Sequence, residues 1–101
     1  MTAYNIVRFK VKAGHEKAFE DAHRIDPGFS GFRGGALVKT GDRAYCFVGC
    51  WDDFDKIAGA RPTMLSFLDG FRHMLEDLGG GTGVTDPVSG SAVVEFPPSA
   101  R

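Results

Sequence analysis

The chain is short of several features that mark large functional classes. It has almost no excess charge, with 12 Lys and Arg against 13 Asp and Glu and a formal net charge of −1. A balance this even gives no basic surface for phosphate backbones or anionic lipid, so nucleic-acid and membrane-surface binding are not expected. No run approaches the ~20 consecutive apolar residues of a membrane span. The first residues, MTAYNIVRFKVKAGHEK, carry lysines and an arginine where a secretory signal would be apolar. A soluble cytoplasmic protein is the expectation. At 101 residues the chain fits a single domain over 1–101, with a tail from about residue 97. It sits on the small side for burying a core alone.

Cysteine is also scarce. The two cysteines, Cys46 and Cys50, share the stretch YCFVGCWDDFDKI with the only tryptophan, Trp51. Tyr45, Phe47, Val48 and Trp51 favour a strand. On a strand the C-x3-C spacing puts the thiols roughly 13 Å apart, against the ~4.4–6.8 Å between Cα atoms that a disulfide needs. The two cannot bridge or grip one metal from this strand, so they are expected as free, packed thiols. The acids that follow suit the start of a helix, with Asp52 or Asp53 as N-cap.

What is present is clear alternation. From Tyr4 to Lys12, Val7, Phe9 and Val11 share one face and Arg8, Lys10 and Lys12 the other, which predicts a strand. His15, Ala18, Phe19 and Ala22 then recur at helical spacing. DPGFSGF, with Pro27 and Gly28, breaks that helix. Phe32–Lys39 predicts a second strand, Gly41-Asp42 a two-residue hairpin turn, and Arg43–Asp52 a third strand. A helix follows from Asp53, with Pro62 interrupting or restarting it. Its stripe of Met64, Phe67, Leu68, Phe71, Leu75 and Leu78 ends at Gly79-Gly80-Gly81. Val88–Phe96 predicts a last strand. The order is the split βαβ, ferredoxin-like βαββαβ of an α+β protein: an antiparallel sheet with two helices on one face. The third strand is apolar on both faces, Tyr45, Phe47 and Trp51 on one and Cys46, Val48 and Cys50 on the other. Helices can cover one face; a partner chain is needed for the second.

Two motif-like stretches carry little. GGGTG lacks the Lys-Ser/Thr ending of a phosphate loop and follows a helix, and HEKAF has Phe19 where a zinc motif needs a second histidine. Of the histidines, His73 falls opposite the apolar stripe, His15 lies in the first turn of the first helix, and His23 sits at that helix's far end on the shoulder of its buried stripe. Asn5 is unusual on a face that holds Val7, Phe9 and Val11; a buried Asn needs partners, so it either caps an edge or faces a ligand.

IVRFKVKAGHEKAFEDAHR, then a hairpin, then VGCWDDFDKIAGARP, resembles the antibiotic biosynthesis monooxygenase-like family. The likeness covers nearly the whole chain in element order. It implies a dimeric α+β barrel: a homodimer whose sheets face each other, with helices outside. Known relatives include cofactor-free oxygenases of aromatic quinols and anthrones, and haem-degrading enzymes. The resemblance implies a cofactor-independent monooxygenase acting on a small aromatic molecule. Its alternatives are a non-catalytic binding barrel and a haem-binding or haem-degrading protein. Asn5 and Trp51 match the first-strand Asn and third-strand Trp of the haem-degrading branch. Near the place of that branch's haem-ligating His stands Arg61, and no cofactor is expected. In this topology Asn5, Trp51 and His23 come to one end of the sheet, with His23 as the available base. Phe29, Arg61, Met64 and Phe67 would complete a substrate pocket there, provided that Trp51 faces the helices.

Overall fold

Alternation at the N-terminus produces the central strand, β1 (Ala3–Lys10), which buries Ala3, Asn5 and Phe9 on one side. Helix α1 (Glu16–Ala22), strands β2 (Phe32–Gly41) and β3 (Ala44–Trp51), helix α2 (Phe54–Asp69) and strand β4 (Asp86–Ser91) follow. The computed structural model describes residues 1–26 and 28–99; Pro27, expected as a helix-breaking residue, lies outside them. The sheet runs β2-β3-β1-β4 with every neighbour antiparallel. This is the ferredoxin-like α+β arrangement that the element order predicts.

Both helices cover the same face. Phe19 of α1 is fully buried against Phe9 and Tyr45, and Ile57 and Ala60 of α2 bury against Ala3 and Trp51. Each large side chain so buried contributes about 1.5–3 kcal/mol. Asp53 caps α2, its carboxylate accepting from Lys56 N–H at 3.0 Å. No helix among the described residues is long and apolar enough to cross a membrane.

Four local expectations are corrected. Helix α2 runs unbroken through Pro62; Pro62 and Ala58, whose carbonyl loses its partner, both lie on the exposed side, where that oxygen is open to solvent. The helix stops at Asp69, well before the triple glycine. Gly70 ends it, a 3₁₀ turn spans Arg72–Met74, and Leu75 bridges to Val11. Phe71 and Leu75 stay buried, so the stripe is preserved by tertiary packing after the helix has ended. The hairpin turn is Asp42-Arg43, because Gly41 already pairs with Ala44 across a bulge. Arg43 takes φ 57°, held there by its guanidinium on Glu76 and on the Val11 carbonyl. Strand β4 starts and ends earlier than expected: after Ala92 N–H donates to Thr2 O, Val93 and Phe96 are each 89% exposed.

Candidate active site

The register shows why a cavity opens where it does. On the helix-covered face, one row across the sheet reads Gly35, Gly49, Asn5, Ser89. The row on one side holds Phe32, Trp51, Ala3 and Ser91; the row on the other holds Leu37, Phe47, Val7 and Pro87. Two missing side chains beside Asn5 leave a trough between bulky rows, and α2 bridges it. The result is a cavity of about 540 Å³ between sheet and helices, within the range of small-molecule sites.

Asn5 is the polar centre of that trough. It is 5% exposed. The Trp51 indole N–H donates to its Oδ1 at 2.7 Å. A donor on that side fixes which amide atom is oxygen. The NH2 end is left toward the cavity, and its one hydrogen-bond contact among the described residues is the Met64 sulfur, at 3.9 Å. A thioether is a weak acceptor, so this donor is available to a ligand oxygen. Trp51 itself is fully buried, packed on Phe29 and Phe32 at ring separations of 5.5 and 5.0 Å. It faces the helices and contributes no lining of its own, so it reaches the cavity only through Asn5.

Gly49 makes this pair possible. A Cβ there would overlap Asn5 Oδ1 and come within 3.0 Å of Trp51 Nε1 and of the Phe47 ring. Sequence reasoning passed over this residue. The available signal was an isolated glycine among strand formers, two positions before Trp51, which often marks a close approach.

The other expected site residues converge on the same space. His23, Phe29, Arg61, Met64 and Phe67 all line the cavity with Asn5. His23 lies among Phe19, Phe71 and Phe67, with ring separations of 4.6, 4.8 and 5.5 Å. Its Nδ1 sits 2.8 Å from the Phe19 carbonyl, so the neutral ring donates there and keeps its lone pair at Nε2. Burial among rings lowers its pKa below the ordinary 6.5, against the opposing carbonyl bond. His15 and His73 lie elsewhere, 6.3 Å apart, His73 exposed; His23 is the histidine of the cavity. Among the described residues no three His, Cys, Asp or Glu side chains group as metal ligands.

A stability consequence follows for His23. The native state takes up this proton only at a lower pH than the unfolded chain, which does so below about pH 6.5. Stability is therefore unaffected above that value and falls as pH drops from 6.5 toward the lower native pKa. Denaturant titrations of wild type and His23→Phe between pH 7 and 5 check this: the slope should vanish in the variant. Asp21, whose carboxyl is lowered from 3.8 by Lys17 and Arg24, acts only in a more acidic window.

No protein-family model matches the chain, and no curated protein matches it by sequence. Solved structures do match, at low identity. A Nitrosomonas europaea protein assigned to the antibiotic biosynthesis monooxygenases superposes with TM-score 0.72 at 14% identity, over 91% of this chain and 90% of that one. SnoaB, a cofactor-independent oxygenase from Streptomyces nogalater, gives 0.67 at 18%, over 96% and 98%. The ActVA-Orf6 monooxygenase of Streptomyces coelicolor, solved with nanaomycin D, gives 0.68 at 19%, over 96% and 92%. The chain has the fold of antibiotic biosynthesis monooxygenase-like proteins.

Proposed function

We propose that the cavity binds a planar aromatic molecule and that the protein is a cofactor-independent monooxygenase of quinol- or anthrone-like substrates. The observation that carries this is an apolar, helix-covered trough with one buried amide donor, Asn5, held by Trp51, and one neutral imidazole, His23. The oxygenases among the structural neighbours support it. An anthrone carries an acidic CH2 beside its rings and a carbonyl across them. His23 Nε2 takes a proton from the CH2 as general base. The Asn5 NH2 donates to the carbonyl oxygen, where the negative charge collects. The resulting carbanion gives electrons to O2, and a carbon-bound hydroperoxide forms. Loss of water then leaves the quinone, so CH2 and O2 become C=O and H2O. A lowered His23 pKa suits this role, since the base is unprotonated at neutral pH.

Oxygen uptake with 1,8-dihydroxyanthrone tests the reading. The protein should accelerate oxidation above the spontaneous rate, and Asn5→Ala and His23→Gln should each lose about 10²–10³-fold of the enhancement. Binding of the anthraquinone product with no acceleration would leave a binding barrel and remove the enzyme.

A homodimer completes the proposal. The sheet face away from the helices carries a row of Ala36, Val48, Ile6 and Val88, flanked on one side by Val38, Cys46 and the Arg8–Asp86 pair and on the other by Cys50 and Tyr4. Val38 is 43% and Val88 58% exposed, and among the described residues no element covers this face. A second copy laid sheet to sheet would bury it. Cys46 and Cys50 are both free and half-buried there, which suits a reducing compartment such as the cytoplasm.

A further inference from the structure

Arg61 stands apart from the other arginines of the described residues. Arg8 pairs with Asp86, Arg24 with Asp21, Arg33 with Asp52, Arg43 with Glu76 and Arg72 with Asp69. Among the described residues Arg61 has no carboxylate partner, yet it lines the cavity. Among the described residues it is the one charged side chain that does so, and no Asp or Glu of them lines the cavity with it. An unpaired guanidinium at the mouth of an apolar cavity makes its electrostatic preference one-sided. We infer that Arg61 is an anion subsite and that the ligand is an aromatic acid, carrying a carboxylate at the edge of its ring system. The inference rests on the aromatic-pocket reading above.

The geometry fits one rigid ligand. Arg61 and Met64 are three residues apart on α2, on neighbouring positions of one helix face. The Met64 sulfur lies beside the Asn5 NH2. A ring system whose carbonyl meets Asn5 in the depth therefore brings its far edge toward Arg61, which lines the same cavity. The planar guanidinium fork suits a carboxylate, which it takes with two parallel hydrogen bonds. Because Arg61 is solvent-exposed, salt will screen the attraction and the gain will be modest.

Calorimetric titration with anthraquinone-2-carboxylate and its neutral 2-carboxamide tests this on wild type and Arg61→Gln. Wild type should bind the carboxylate about tenfold more tightly. That preference should shrink with added salt and disappear in Arg61→Gln, which should bind the two compounds equally. Equal affinity of wild type for the two compounds, or a preference that survives Arg61→Gln, would overturn the anion subsite while leaving the aromatic pocket standing. Binding of neither compound would overturn both.

Discussion

Replacing Gly49 by alanine should cost about 2–3 kcal/mol of stability and reduce ligand binding as far as removing the Asn5 amide does. The added methyl overlaps Asn5 Oδ1 and crowds Trp51 Nε1 and the Phe47 ring. Asn5 can escape only by rotating, and rotation breaks its bond to the indole. The Trp51 N–H, in a fully buried ring, is then left without a partner. An orphaned buried donor costs about 1–3 kcal/mol before any packing strain is added. The rotated amide also no longer presents its NH2 to the cavity. Gly59→Ala is the matched control: Gly59 lies in α2 with open space where a Cβ would go, and the change should stabilise by about 0.5–1 kcal/mol. Urea titrations of the two variants should move in opposite directions. A Gly49→Ala protein as stable as wild type, with unchanged ligand affinity, would show that the pair is not tightly held.

The second large effect lies on the opposite face of the sheet. Val48→Asp places a carboxylate at the centre of the row Ala36, Val48, Ile6, Val88. In a symmetric sheet-to-sheet dimer each copy buries this charge near the centre of the interface, and unpaired buried charges cost several kcal/mol. The dimer dissociation constant should rise at least about a hundredfold, turning a dimer into a monomer in micromolar sedimentation. The monomer's own core should be intact, since Val48 points away from the helices. A wild-type protein that sediments as a monomer would remove the dimer, and the covering of this face would need another explanation.

Much of this was legible in the sequence, for identifiable reasons. Period-two alternation over Val7, Phe9 and Val11 placed the central strand, and the order of elements then fixed which chain ends meet. That topology alone brought Asn5, His23, Phe29, Arg61, Met64 and Phe67 toward one space. What was hidden depended on three-dimensional contacts. Strand parity gave Trp51 a face but not which face; only packing on Ile57 and Ala60 assigns it to the helices. Its burial behind Asn5, which makes it a positioning residue in this arrangement, has no sequence signature. Phe71 and Leu75 continued a helical period because the core needs them, although the backbone there is a 3₁₀ turn and a bridge. Proline at position 62 signalled a break that an exposed helix face tolerates. Gly49 carried the least visible information, since its importance is the absence of an atom.

The most direct measurement uses a simplicity of the composition. Asn5 has the only side-chain carboxamide in the chain, there being no glutamine, and Trp51 the only indole. In a ¹⁵N-labelled sample each therefore gives an isolated side-chain signal, one NH2 pair and one indole N–H. Titration with an anthraquinone should shift the Asn5 NH2 pair among the most strongly affected signals, as its free donor finds a ligand oxygen. The indole signal should respond less and exchange slowly with solvent throughout, because its bond to Asn5 Oδ1 persists. An NH2 pair that stays unmoved while the ligand saturates the protein would contradict a binding site built on Asn5.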